Sequence, residues 1–217
     1  MGERELREAV CDIGRRLHER GFVAAWDGNI SHRLPDGAFL CTPTLCPKGR
    51  LKPDELCVVD ADGRQLCGPR ARTSEILLHL VIYRERPDVQ AVVHAHPPHA
   101  TAFAITGTPV PNGVMPEVEY FLGVVPTVPY ETPGTAKFAE SVVPYLDRTN
   151  TLVLANHGTV SYAATLERAW GYTEILDAVC RILLLARPLG EPRRLTEAQV
   201  ADLLALKQRA GYEDPRT

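Results

Sequence analysis

Apolar residues recur at helical spacing over residues 4–20, where Leu6, Val10, Ile13 and Leu17 form one stripe. Gly21 stands just past them, at the usual place of a left-handed helix cap. The period then shortens. Residues 29–34 and 38–41 read as strands joined by Pro35-Asp36-Gly37. A loop rich in Thr, Pro, Lys and Gly spans 42–52, followed by a helical turn at 53–56 and a strand at 57–60 with a hairpin signal at Asp62-Gly63. Thr73 or Ser74 is suited to cap a helix over 75–86, with Ile76, Leu77, Leu80 and Tyr83 on its apolar side and Pro87-Asp88 at its end. Residues 91–95 read as a buried strand, and 97–105 as a helix with proline near its first turn. Residues 107–134 are rich in Gly and Pro, with an extended piece at 124–130. Helices over 135–146, 166–186 and 195–209 and a strand over 151–155 complete the pattern. Strands and helices mix without strict alternation, and no repeat or linker divides them. The expectation is one α/β domain over residues 1–217 with a largely antiparallel sheet.

Composition narrows the partners. A net charge of −3 offers no broad basic field for nucleic acid or an acidic membrane surface, and aromatics are too sparse for base-stacking platforms. No apolar run is long enough to span a bilayer, and the N-terminus lacks the apolar core of a signal peptide. Six cysteines are present without a CxxC pair, and most stand beside apolar residues, as buried free thiols do. A reduced, cytoplasmic protein is expected.

The chemistry concentrates in histidines. In Val92-Val93-His94-Ala95-His96, two imidazoles two residues apart share one face of a strand. A third, His157, follows another apolar run in Leu154-Ala155-Asn156-His157-Gly158. Three imidazoles suit one divalent metal, zinc above all, with a position left open for water or substrate. A glutamate near such a site serves as a fourth ligand or a general base, and Glu75 opens a helix just after a Thr-Ser pair. His99 falls one turn beyond His96 on the following helix. His18, His32 and His79 lack comparable context and read as structural or surface residues.

A second group consists of small polar donors: Gly28-Asn29, Thr42, Thr44, Lys48-Gly49 and Thr73-Ser74. Backbone amides, hydroxyls and a lysine suit a phosphate dianion if the fold gathers them. A third group, Glu117, Glu119 and Tyr120, combines two acids and a phenol in the Gly/Pro-rich stretch; it reads as an acid/base group or as solvated loop.

These residues together resemble the class II aldolase/adducin family, and the resemblance covers nearly the whole chain. The motifs that carry it are Asp27-Gly28-Asn29-Ile30-Ser31, Cys41-Thr42-Pro43-Thr44, Thr73-Ser74-Glu75, His94-Ala95-His96 with Thr101, and Asn156-His157-Gly158. The resemblance implies a single α/β/α domain with a central, largely antiparallel sheet, assembled as a four-fold homotetramer with active sites at subunit interfaces. It implies zinc, or another divalent transition metal, held by His94, His96 and His157 with Glu75. It also implies that Glu75 shuttles a proton at the carbon next to a carbonyl, and that Gly28, Asn29, Thr44, Thr73 and Ser74 bind phosphate. Zinc chelated by the substrate's carbonyl and hydroxyl oxygens would stabilise an enediolate.

The chain departs from the L-fuculose-1-phosphate aldolase pattern at two places. Leu45 stands where those aldolases have a glycine, with Lys48 following in an extended loop. Met115 stands where the family has an interfacial tyrosine acid. Glu119 occupies the place of an epimerase aspartate, and Tyr212 matches a tyrosine near the C-terminus of several members. The leading expectation is a zinc-dependent aldolase that cleaves or forms a short ketose 1-phosphate, with dihydroxyacetone phosphate and an aldehyde as the fragments. The alternatives on the same metal site are a 3-oxo sugar-acid phosphate decarboxylase and a sugar-phosphate 4-epimerase. A non-catalytic adducin-like binding module comes last, because the three histidines and Glu75 are all present.

Overall fold

The apolar stripe at the start of the chain becomes helix α1 (Glu3–Glu19), with Leu6, Val10, Ile13 and Leu17 buried and Gly21 at a φ of 68° just beyond its end. Acidic Glu3 and Glu5 in its first turn and basic Arg16 and His18 in its last suit the helix dipole. The structure, a computed structural model, describes residues 2–211. Among them eight strands make one sheet: β1 (Asn29–Arg33), β2 (Phe39–Cys41), β3 (Cys57–Val59), β4 (Gln65–Cys67), β5 (Ala91–Ala95), β6 (Thr127–Val128), β7 (Thr151–Leu154) and β8 (Gly158–Ala163). Their order across the sheet is β4-β3-β2-β1-β5-β8-β7-β6. Every pair is antiparallel except β6 with β7.

The other helices are α2 (Ile76–Glu85), α3 (Pro98–Thr106), α4 (Ala136–Ser141), α5 (Leu166–Ala186) and α6 (Glu197–Arg209). Strand alternation divides the core in two. Ile30, Leu40, Val93 and Ala95 face one cluster with α1, α3 and α5, whereas Phe39, Cys41, Val92 and Val160 face another with α2 and α4. The result is helix layers on both faces of a central, mostly antiparallel sheet.

Several elements differ from the sequence reading. The expected helix over 135–146 breaks into α4 and a 3-10 turn at Val143–Tyr145, because Pro144 has no N–H to continue the α-helical ladder. The extended piece at 124–130 shortens to the two residues of β6. Val118–Leu122, within the Gly/Pro-rich stretch, form a π-helical turn. β4 and β8 carry no clear strand signal. All six positions of β8 are buried, so its alternation of Thr and Ser with Val and Tyr marks two covered faces rather than inside and outside. The six cysteines are free, and four of them are buried.

Candidate metal and anion site

β5 runs down the middle of the sheet and stops at Ala95. His94 lies on the α2 side with Val92. His96 follows the strand end, and the three-residue turn from β7 to β8 returns beside it, carrying His157. Asn156 makes that turn at a φ of 56°, a conformation asparagine tolerates better than most residues. One ligand atom from each of His94, His96 and His157 lies within 4.8 Å of the others. Gly158 allows this approach: a Cβ there would fall 2.5 Å from His96 Cδ2 and 2.6 Å from the Ala95 carbonyl oxygen. Gly158→Ala is therefore expected to cost about 1–3 kcal/mol through overpacking. It should also push His96 aside, lowering both the melting temperature and the bound metal per chain; calorimetry and metal analysis check the two together.

The hydrogen-bond pattern decides what this cluster can hold. His94 Nδ1 lies 2.9 Å from the Thr159 carbonyl, which can only accept, so Nδ1 carries the hydrogen and Nε2 the lone pair. His96 Nδ1 donates in the same way to Asp27 Oδ2 at 3.2 Å. The two Nε2 lone pairs face each other across 3.2 Å. Burial first, then the neighbouring imidazoles, hold His94 well below the usual histidine pKa. Burial also lowers His157, against the opposing pull of Glu75. Neutral imidazoles with converging lone pairs repel one another unless a cation joins them, and a divalent metal fits that need. Asp27 buttresses His96: burial alone would raise its pKa, but the hydrogen bond from His96 brings it below the usual carboxylate value.

Glu75 takes the N-cap position of α2, one residue before the helix proper, and its N–H donates to Thr73 Oγ1 at 3.3 Å. Its carboxylate borders the imidazoles, with Oε2 3.3 Å from His94 Nε2 and Oε1 3.4 Å from His157 Nε2. Oε2 accepts from Asn29 Nδ2 at 2.8 Å, while Oε1 is buried and accepts no hydrogen bond. Asn29 Oδ1 in turn accepts from His79 Nε2 at 2.5 Å, and His79 Nδ1 meets Ser31 Oγ at 2.6 Å. Burial above all pushes His79 down to about 3, so its ring is neutral.

Beside this group lies a cavity of about 210 Å³, lined by Gly28, Asn29, Thr44, Thr73, Ser74, Glu75, His96 and His157, with Lys48 and Leu45. The fold thus gathers all five residues expected to bind phosphate. Gly28, at a φ of 69°, passes over the end of β5 where a Cβ would meet Val23 Cγ1 at 2.6 Å. Lys48 is 2% exposed and donates to the carbonyls of Trp26 and Cys46 at 3.1 and 2.9 Å. Burial lowers its pKa, and an ammonium has a third hydrogen to offer. Leu45 keeps a φ of 49°, the left-handed conformation that a glycine would favour. The loop therefore follows a glycine-type path at a strain of about 1–2 kcal/mol. Three larger clefts, of about 670, 550 and 360 Å³, are lined by no histidine.

Other expected residues lie elsewhere. Glu119 does not line the cavity; its Oε1 accepts the Gly113 N–H at 2.5 Å and ties down the turn before it. Met115 packs against the core cluster. His99 pairs with Asp177 at 2.8 Å instead of joining the imidazoles. Tyr212 lies outside the described residues. Sequence alone assigns no chemistry to His79, Asp27, Ser31 or Tyr83. Their signal was periodic: Glu75, His79 and Tyr83 stand four apart on α2, facing Asn29 and Ser31 two apart on β1.

This chain belongs to the class II aldolase and adducin N-terminal domain family, whose model matches residues 8–184. The 3-oxo-tetronate 4-phosphate decarboxylase of Escherichia coli strain K12 is 35% identical over 207 residues, which cover 93% of this chain and 96% of that protein. The L-fuculose phosphate aldolase of Methanococcus vannielii is 36% identical over 178 residues, 82% of this chain and 94% of that one. Among solved structures, YgbL from Escherichia coli superposes with a TM-score of 0.86 at 33% identity, covering 93% of this chain and 98% of the other. The chain is accordingly an enzyme of the lyase class.

Proposed function

We propose that this enzyme is a metal-dependent decarboxylase of a 3-oxo sugar-acid phosphate, 3-oxo-tetronate 4-phosphate being the first candidate. The observation that carries the choice is the 35% identity, over nearly the full length of both chains, to a decarboxylase of that name. The aldolase likeness in Methanococcus vannielii covers less of the chain. The chemistry of the site supports the same choice. Aldol chemistry needs a proton exchanged at the aldehyde oxygen, and the position that resembles the family's tyrosine is Met115, packed in apolar surroundings. Carbon dioxide leaves without any such proton.

The reaction balances as follows. The C1–C2 electron pair of the 3-oxo acid stays on C2 as carbon dioxide departs, giving an enediolate across C2 and C3. One proton added at C2 then yields dihydroxyacetone phosphate. His94, His96 and His157 would hold a divalent ion, zinc by preference for imidazole, which would supply Lewis acidity to the reaction. Glu75 delivers the C2 proton and regains it from water. Thr44, Ser74, the Gly28 backbone and Lys48 hold the phosphate; Thr73 anchors the start of α2. The aldolase reading forms the same enediolate, which is why the metal ligands alone cannot separate the two.

The test is carbon dioxide release from 1-¹³C-labelled substrate in heavy water, with metal-loaded and metal-stripped enzyme. Metal-dependent release above the spontaneous rate, with one deuterium per dihydroxyacetone phosphate formed, is expected. Absence of release, together with metal-dependent condensation of dihydroxyacetone phosphate with a short aldehyde, would return the assignment to an aldolase.

The proposal includes a single domain, a cytoplasmic location and a homotetramer. Trp26, 58% exposed, and Leu45, 64% exposed, leave apolar surface at the cavity mouth. Native mass spectrometry is expected to give about four times the chain mass of 23.9 kDa; a monomer at micromolar concentration would rule the tetramer out.

A further inference from the structure

Below the cavity, five buried side chains form one continuous chain of hydrogen bonds: Tyr83, Ser31, His79, Asn29 and Glu75. None is more than 8% exposed. The direction of every bond follows from its last member. Glu75 Oε2 is an acceptor, whether as carboxylate or as the carbonyl oxygen of the acid, so the Asn29 amide must present its NH₂ there. Asn29 Oδ1 then faces His79, which must donate from Nε2. His79 Nδ1 is left as an acceptor for the Ser31 hydroxyl, and Ser31 accepts from Tyr83, 2.8 Å away. A flipped Asn29 amide would set two acceptors against each other at Glu75 and reverse the whole chain.

Backbone geometry explains why these five meet. Asn29 and Ser31 share a face of β1, with Asn29 paired in register opposite His94 on β5. Glu75, His79 and Tyr83 lie one helical turn apart over that face. The chain therefore connects Glu75, at the edge of the imidazole cluster, to the core beneath α2 without passing through any of the three clustered histidines.

We propose that Asn29 and His79 are positioning residues for Glu75, holding Oε2 so that the proton given to the substrate carbon travels through Oε1 alone. This departs from the phosphate-binding role that family resemblance implies for Asn29, and it rests on Glu75 as the proton carrier. Oε1 is the carboxylate oxygen with no hydrogen bond, which suits the assignment.

The first arm of the test needs neither metal nor substrate. In metal-free protein labelled with ¹⁵N-histidine, long-range proton–nitrogen correlation spectra should show His79 with its hydrogen on Nε2 and Nδ1 bare. Ser31→Ala, which removes the donor to Nδ1, should shift that pattern toward a mixture. A native His79 protonated on Nδ1 overturns the proposal whatever reaction the enzyme performs.

The second arm is kinetic. Asn29→Ala and His79→Leu are expected to lower kcat about 10–100-fold, the range for partners that orient a metal-site group, with KM within about twofold. His79→Gln, whose amide can donate to Asn29, should recover a substantial part of kcat. A raised KM with kcat retained in Asn29→Ala would instead make Asn29 an anion ligand. If folded Leu and Gln variants at 79 are equally impaired, the positioning role is lost. Should wild-type protein release no carbon dioxide, the functional reading fails, and the tautomer of His79 still decides the relay by itself.

Discussion

Replacing His96 with alanine is expected to leave a folded protein that no longer retains metal and has no measurable turnover. His96 follows the end of β5 and is half-buried, so its loss removes little packing. It does remove one of three converging nitrogens, 3.2 Å from its nearest neighbour. Loss of an outer partner of a metal ligand typically weakens affinity 10–100-fold. Loss of the ligand itself should exceed about 100-fold, enough to empty the site during gel filtration. Metal analysis of the filtered variant checks this, with calorimetry against metal-free wild type to establish folding. A variant that kept one metal ion per chain would show that the imidazole cluster is not the metal site.

Glu75→Gln separates binding from proton transfer. Glutamine has nearly the same shape, and its carbonyl can still accept from Asn29 where Oε2 now does. Its NH₂ would then take the place of Oε1 beside His157 Nε2, 3.4 Å away in the native protein, and compete modestly for that lone pair. Fold and substrate affinity should therefore survive, with metal affinity slightly reduced. The amide has no transferable proton, and losing general acid–base catalysis costs about 10²–10⁴-fold. Steady-state assays at saturating metal should show that fall in kcat with KM nearly unchanged. Near-native turnover would remove Glu75 from the proton route.

The residues that hold the site together were readable to different degrees. His94 and His96 announce themselves because a strand places residues two apart on one face. His157 is legible only through its motif, since nothing local says that the turn from β7 returns to β5. That return depends on β8, whose buried Thr and Ser obscure the usual alternation. Asn29 was readable as a site residue but its partners were not. Hydrogen bonds between β1 and α2 join residues roughly fifty apart, and sequence periodicity marks each face without saying which faces meet. Leu45 appeared as a departure in the phosphate loop, whereas the backbone kept the left-handed turn regardless of the side chain. Glu119 stands in an acidic, Gly/Pro-rich context that reads as open to chemistry, and the structure shows there a fully buried carboxylate that anchors the Gly113 amide.

The return of the β7–β8 turn onto the end of β5 also bears on how firmly the enzyme stays folded. His96 and His157 are roughly sixty residues apart in the chain, and one ion bound to both closes that long loop. The unfolded chain offers no such preformed site, so binding and folding are linked. Ion at one hundred times its dissociation constant adds about 2.7 kcal/mol to stability, a sizeable fraction of what a domain usually possesses. Cellular metal supply would then govern two quantities at once: the fraction of enzyme able to turn over, and the lifetime of the polypeptide against proteolysis.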